Sequence, residues 1–363
     1  QAAEMPPDGF TFYGGVSHGV EKRSKVRSRI VADQLVKLIK EADHVVIMGH
    51  RMSDLDAIGS AEGVLRICKI CDVPAVIAVK RDATLAGSLI DALCRAGQRD
   101  DFIDPKEALP IISKQTLCVV VDTYQVGLVE SKEILEKCGK VAVIDHHRKG
   151  VGYIENPALV CHEPYSSSAS ELVTELLQYV GDRDDKPNRV EAEGLLSGIM
   201  LDTQDFTLHT GVRTFEAAAA LRRYGAETER VRQLFDVTMT EYNAKADLVE
   251  KAQMYKNCAI SVGGEIAPEA RVAIAQAAND LLRIQGVDAS FVAVQVSGGV
   301  NISARSLGAV NVQVIMESLG GGGHQTMAAA QLKHITPEAV RSRIETAIDN
   351  YWASQKKSSA AEK

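Results

Sequence analysis

From Asp43 onward the polarity of the chain repeats one unit: a short apolar run, a polar turn, then a stretch with helical spacing. The apolar runs are HVVIMG (44–49), PAVIAV (74–79), TLCVVVD (116–122) and KVAVID (140–145). They are continuous rather than alternating, as expected of strands buried on both faces, and helical patterns fill the intervals. That order predicts an α/β fold, a parallel sheet with helices on both faces. A leading helix is predicted from KVRSRIVADQLVKLIKEA, where Val26, Ile30, Leu35, Leu38 and Ile39 form a stripe. Two more helices are predicted over 166–180 and 189–202, and a helical region runs from Thr210 to Lys256.

Beyond Lys256 the pattern changes. CAISVG, SFVAVQV, VNISARS and MAAAQL read as strands, with helices at 268–284, 311–319 and 337–352. The expected organisation is then a tail or remnant of a preceding domain over 1–24 and a first, parallel-sheet domain over 25–235. A helical linker over 236–256 joins it to a smaller α/β domain with a mixed sheet over 257–352. Residues 353–363 are low in apolar content and are expected to be disordered.

Composition narrows the partners. The 363 residues carry a formal net charge of -7, whereas proteins that grip long nucleic acid usually present a basic face. A small phosphorylated ligand is compatible with that charge; a long polymer is not the expected partner. The basic group Lys22, Arg23, Lys25, Arg27 and Arg29 reads as the solvated face of a helix. No apolar run reaches the roughly 20 residues that span a bilayer, and no signal peptide is visible. The chain opens at Gln1 without a start methionine and is read as part of a longer one. Seven cysteines follow no framework spacing, and Cys68 and Cys71 read as small apolar residues near a helix end.

The chemistry sits where the strands end. HVVIMG runs into His50, Asp54 and Asp56; TLCVVV ends in Asp122; KVAVI ends in Asp145, His146 and His147. Asp202 closes the apolar helix LLSGIML. In open parallel sheets ligands bind beyond the carboxyl ends of the strands, so these groups should share one rim. Asp54 or Asp122 alone would read as the N-cap of the next helix. Together, carboxylates aimed at one crevice repel one another unless cations neutralise them. Oxygen-rich ligands with imidazoles and no thiolate suit manganese, with magnesium or cobalt as substitutes. Six or seven ligands suit two ions, a standard device for displacement at phosphorus.

The second domain offers a different site. Gly320 to Gly323 precede His324 and follow a predicted helix, with Ser303 and Arg305 on a nearby strand. Glycines here serve a helix end equally well, but beside His324 and Arg305 they read as a phosphate or nucleotide clamp.

These residues resemble the four motifs of the DHH phosphoesterase superfamily: H-x-x-x-D-x-D-x-x-G-S from His50 to Ser60, Asp122, Asp145-His146-His147, and Asp202. SARS (303–306) and GGGGHQ (320–325) resemble its DHH-associated domain. The segments GVEKRSKVRSR, 162–179 and 201–218 are similar to the catalytic region of GdpP-type cyclic-di-AMP phosphodiesterases.

The resemblance implies His50, Asp54 and Asp122 on one manganese, and Asp56, Asp122, His146 and Asp202 on the other. Asp145 would orient a neighbouring ligand, and His147 would sit near the scissile phosphate. Ser303, Arg305, Gly321, Gly322, Gly323 and His324 would bind substrate. The implied reaction is hydrolysis of cyclic di-AMP, or another cyclic dinucleotide, to linear 5′-pApA by a hydroxide activated between two metals. It also implies a homodimer in the cytoplasm, cut from a parent anchored in the membrane by N-terminal helices; this fragment itself would not touch the membrane. Two other readings share the motifs: an oligonucleotidase acting on pApA or very short RNA, and a non-catalytic nucleotide-sensing module.

Overall fold

The structure is a computed structural model, described over residues 2–4, 11–13, 25–148, 152–265, 272–296, 298–323, 325–333 and 335–361. It divides into two units, Gln1–Asp236 and Val237–Lys363.

In the first unit a short antiparallel pair, β1 (Ala2–Glu4) and β2 (Thr11–Tyr13), lies in the stretch read as a tail. Then come α1 (Lys25–Glu41), β3 (Val45–Met48), α2 (Leu55–Ile70), β4 (Ala75–Ala78), α3 (Gly87–Leu93), β5 (Phe102–Ile103) and α4 (Pro105–Ala108). The chain continues through β6 (Leu117–Val121), α5 (Lys132–Lys137), β7 (Lys140–Asp145) and β8 (Leu159–His162). The helices α6 (Ala169–Leu177), α7 (Arg189–Asp202), α8 (Val212–Arg223) and α9 (Thr228–Gln233) complete it. Six strands form one parallel sheet in the order β5-β4-β3-β6-β7-β8.

The continuous apolar runs are explained by what each face meets. In β3, Val45 and Ile47 join a core with Leu65, Leu172 and Leu195 from α2, α6 and α7. Val46 and Met48 point the other way, into a cluster with Ala108 of α4 and Ile134 of α5. Each large apolar side chain so buried contributes roughly 1.5–3 kcal/mol. The four expected strands are present; β5 and β8 are additional. Both are too short to carry a pattern, and β8 (LVCH) lies between Pro157 and Pro164.

Both ends of the helix expected over 166–180 differ in this unit: α6 spans Ala169–Leu177. The helix expected from residue 166 begins at Ala169, because Ser168 accepts the Glu171 amide at 3.0 Å and caps it. In α2, Cys68 is fully buried, with its thiol pushed well up by burial, and half-buried Cys71 is the C-cap. All seven cysteines are free. On α1, Lys25 pairs with Glu216 at 3.1 Å and Arg27 with Glu163 at 3.2 Å; Lys22 and Arg23 lie outside the described residues.

The second unit comprises α10 (Met239–Glu250), β9 (Gln253–Tyr255), β10 (Cys258–Glu265), α11 (Val272–Leu281), β11 (Ala289–Val296) and β12 (Gly299–Ser306). They are followed by α12 (Val312–Ser318), β13 (Gly322–Gly323), β14 (Met327–Lys333) and α13 (Pro337–Ala361). Its six-stranded sheet has the order β13-β14-β12-β11-β10-β9; β10 and β11 are parallel and the other pairs antiparallel. One face packs on α12 and α13 through Phe291, Ile302, Ile315 and Ile344, the other on α11 through Val292 and Val294.

The segment 236–256, expected as a linker, packs inside this unit: Leu248 of α10 is fully buried, and its carbonyl accepts the Ser261 hydroxyl at 2.5 Å. The tail expected over 353–363 is helical to Ala361, where no Gly or Pro interrupts α13. Among the described residues no helix is long and apolar enough to cross a membrane.

Candidate metal centre

β3, β6 and β7 are parallel neighbours, so their carboxyl ends reach one rim. His50 follows β3, Asp122 follows β6, and Asp145, His146 and His147 end or follow β7. Asp54 is the N-cap of α2, its Oδ1 accepting the amides of Asp56 at 3.0 Å and Ala57 at 3.1 Å. The capping role and the candidate ligand role therefore coexist in one side chain. Asp122 holds a left-handed backbone (φ 57°) while its N–H donates to the Ile144 carbonyl at 2.9 Å. Such a conformation costs about 1–3 kcal/mol and persists where surrounding structure imposes it, commonly at functional sites. Asp202 ends α7, and Gly198 one turn earlier lets that helix approach. A Cβ at 198 would stand 2.6 Å from Asp56 Oδ1.

Asp56 is fully buried, and both oxygens accept amides from the start of α6: Ala169 N at 2.7 Å and Ser170 N at 2.8 Å. The positive end of the helix thus faces a carboxylate. His146 Nε2 lies 3.1 Å from Asp202 Oδ2, 3.4 Å from Asp122 Oδ1 and 3.9 Å from Asp56 Oδ2. His50 Nε2 lies 3.4 Å from Asp122 Oδ2 and 3.8 Å from Asp54 Oδ1. His146 Nε2 and Asp122 Oδ1 are nonetheless buried with no hydrogen-bond partner. Atoms so arranged surround a common point instead of bonding to each other.

Among the described residues, three groups of side chains have candidate ligand atoms within 4.8 Å of one another: His50, Asp54, Asp122; Asp56, Asp122, His146, Asp202; and Asp122, His146, His147. Asp122 belongs to each. In the third, His147 Nδ1 is 2.9 Å from Asp145 Oδ1, so that nitrogen is engaged by a carboxylate. The first two groups are those the family resemblance implied, and their donors fit divalent cations.

The electrostatics agree. Burial, then the charges of Asp122 and Asp202, raise the Asp56 pKa well above its usual value. Burial opposes ionisation of Asp122 as well, yet the imidazoles of His146 and His50 outweigh it and hold the carboxyl well below the usual range. Burial works against charge on His50, but Asp122 and Asp54 overcome it and lift its pKa to about 10.

Two supports went unread in the sequence. The α6 amides that clamp Asp56 are one; the spacing Ser168-x-x-Glu171, typical of a helix start, was the available signal. The other is His162, whose Nε2 is 2.5 Å from the His147 carbonyl while its ring stacks on Tyr124 at 5.7 Å. No sequence pattern marks that contact.

In the second unit, Ser303 and Arg305 alternate onto one face of β12. Arg305 Nη1 donates to Ser303 Oγ at 3.1 Å and to the Ala304 carbonyl at 2.9 Å, while its buried Nε has no hydrogen-bond partner. Burial depresses its pKa. Ser303 pairs with Ala329 of β14, which pairs with Gly322 of β13. A side chain at Gly321 or Gly323 would strike the β14 backbone, so close pairing alone requires those two glycines; Gly322 is open. His324 lies outside the described residues.

The DHH family, N-terminal domain, matches residues 44–199, and the DHHA1 domain matches residues 267–353. The chain is 45% identical over 346 residues to a Geobacillus thermodenitrificans protein named cyclic-di-AMP phosphodiesterase GdpP, covering 94% of this chain and 52% of that one. It is 41% identical over 354 residues to the Listeria monocytogenes cyclic-di-AMP phosphodiesterase PdeA, covering 96% and 54%. The chain therefore spans about half the length of the curated relatives it matches. Among solved structures, an exopolyphosphatase-related protein from Bacteroides fragilis superposes with a TM-score of 0.76 at 21% identity, covering 90% of this chain and 98% of that one. That likeness extends the shared fold across both units. The chain belongs to the DHH family, with the DHH domain carrying the carboxylate and imidazole rim and a DHHA1 domain following it.

Proposed function

We propose that this chain is the catalytic portion of a phosphodiesterase that hydrolyses cyclic di-AMP to linear 5′-pApA. One observation carries the reading: two groups of candidate ligands share Asp122, in a chain 41–45% identical over most of its length to proteins named for that activity. His50, Asp54 and Asp122 would hold one divalent cation, and Asp56, Asp122, His146 and Asp202 the other. The oxygen-rich donor set favours manganese, with magnesium or cobalt as substitutes. When bound, such a pair of cations supplies charge neutralisation and an activated water for displacement at phosphorus.

The protein's own residues do the rest. Asp122, in its left-handed conformation, is presented to both groups. The α6 amides orient Asp56 before any ion arrives. Asp145 accepts both the amide of His147, at 3.1 Å, and its Nδ1–H, at 2.9 Å, so Nε2 is left to face the phosphate and donate a proton toward the departing 3′-oxygen. In the second unit Ser303, Arg305 and the turn of Gly321, Gly322, Gly323 and His324 are assigned to a phosphate or base of the dinucleotide. The active form is assigned as a homodimer.

The test is turnover of cyclic di-AMP with manganese, products resolved by chromatography, with pApA as a parallel substrate. Accumulation of pApA with slow attack on pApA itself is expected. Rapid conversion of pApA to AMP with the cyclic substrate untouched would assign the same rim to an oligonucleotidase.

A further inference from the structure

The serine-rich segment before α6 is not used by the chemistry above, yet it surrounds a buried carboxylate. Glu171 is 2% exposed. Its Oε1 accepts the Ser166 hydroxyl at 2.6 Å; its Oε2 accepts the Ser167 hydroxyl at 2.7 Å, the Ser167 amide at 3.2 Å and the Thr214 hydroxyl at 2.7 Å. Four hydrogen bonds converge on this one buried carboxyl, so the cluster is a firm anchor.

Its position gives the anchor a purpose. Glu171 is the third residue of α6, where a glutamate commonly reaches back to the amide of the N-cap. Here it binds the residue before the cap, Ser167. The three free amides at the helix start are divided: Glu171 N goes to Ser168 Oγ, and Ala169 N and Ser170 N go to Asp56. The aim of those two amides thus depends on how the 166–168 turn is held. On the other side, Thr214 Oγ1 also accepts the Gly211 amide at 3.0 Å. Gly211 closes the loop that begins after Asp202. Glu171 therefore ties the α6 start that clamps Asp56 to the end of the loop that follows Asp202. Both ligands belong to the four-residue group and neither to the group of His50 and Asp54.

We propose that Glu171 is a positioning residue for the Asp56, Asp122, His146, Asp202 pocket and sets its metal affinity selectively. The inference rests on the two-pocket reading above. The pockets are separated by substitution: His50→Ala disables the three-ligand pocket and Asp202→Ala the four-ligand one. Manganese alone is the probe, titrated by the electron paramagnetic resonance of the free ion.

Adding Glu171→Ala to the His50→Ala chain is expected to weaken the remaining site by about tenfold or more, and adding it to Asp202→Ala to change affinity by less than about twofold. Glu171→Gln, which keeps an acceptor oxygen, should restore part of the loss. Equal losses in both backgrounds, as from general loosening, or no loss in the His50→Ala chain, would overturn the proposal. If Glu171→Ala does not fold, Thr214→Val removes one donor and must show the same selectivity at smaller size; equal losses there overturn it too. A parent chain that binds no manganese refutes the metal reading and this inference with it. A parent that binds two ions without the selective pattern refutes this inference alone.

Discussion

Helix α2 carries two fully buried carboxyl groups, Asp56 in its first turn and Glu62 farther along, and their surroundings solve the same electrostatic problem differently. Around Glu62 the charges are met by protein groups, although Glu62 Oε2 and Gln98 Oε1 are buried without a hydrogen-bond partner. Gln98 Nε2 donates to Glu62 Oε1 at 2.6 Å and to Glu191 Oε1 at 3.0 Å, while Arg66 grips Glu191 with both Nε and a terminal nitrogen. Burial, then the charge of Glu191, lifts the Glu62 pKa to about 8, so this carboxyl keeps its proton at neutral pH. Around Asp56 the carboxylates Asp122 and Asp202 meet imidazoles. Among the described residues no lysine or arginine pairs with these three aspartates. A buried acid cluster answered by arginine and a proton is self-sufficient. One whose carboxylates meet only imidazoles, with their candidate ligand atoms close together, is suited to cations from outside.

The sharpest break of this contrast is Asp122→Ala. Removing the side chain common to both groups should lower kcat on cyclic di-AMP by about 10³-fold or more and abolish high-affinity manganese binding. Near-normal turnover would eliminate the shared-ligand scheme. Asp145→Asn is expected to act less severely, because it disturbs only the orientation of His147. A loss of about 10–100-fold in kcat with manganese affinity retained is the expected result. A loss of metal without loss of orientation would show that Asp145 serves the ions directly.

The smallest effect belongs to the other cluster. Folded Glu62 keeps its proton up to about pH 8, whereas the unfolded chain releases it near its ordinary value of 4.5. The unfolded state therefore binds fewer protons between those limits, and stability declines as pH rises through the window. Glu62→Gln should flatten that decline, leaving the variant more stable than the parent at pH 8 by on the order of 2 kcal/mol, with no such advantage at pH 4. Denaturation curves at both values provide the measurement. Parallel pH profiles for the two proteins would show that Glu62 is ionised in the folded state.

Much of the rim was legible because each ligand ends an element whose pattern is local. The runs of β3, β6 and β7 announce parallel strands, and parallel strands deliver their final residues to one edge. His50, Asp122, Asp145 and His146 could be placed by that rule alone. Other features were not legible. α6 starts three residues later than its sequence pattern suggests, since a serine run fits a helix interior on a coarse pattern and only the Ser168 cap fixes the first turn. The segment 236–256 reads as a linker because its helical pattern follows the last helix of the first domain, yet buried Leu248 seats α10 in the second unit. The glycines at 321 and 323 suggested anion binding, while their contact with β14 already requires them.

The amino-acid sequence by itself determined the α/β class, the sheet strands long enough to show a pattern, and the identity of the groups at their ends. These follow from periodicity and turn chemistry, which act over a few residues. Only the tertiary structure decided which groups share a pocket, that Asp122 stands in a strained conformation between them, and that Asp56 is clamped by amides 113 and 114 positions away. It also decided that one buried acid keeps its proton while others are left for cations. Burial and charge depend on what neighbouring elements bring within a few ångströms, and no local pattern encodes that distance.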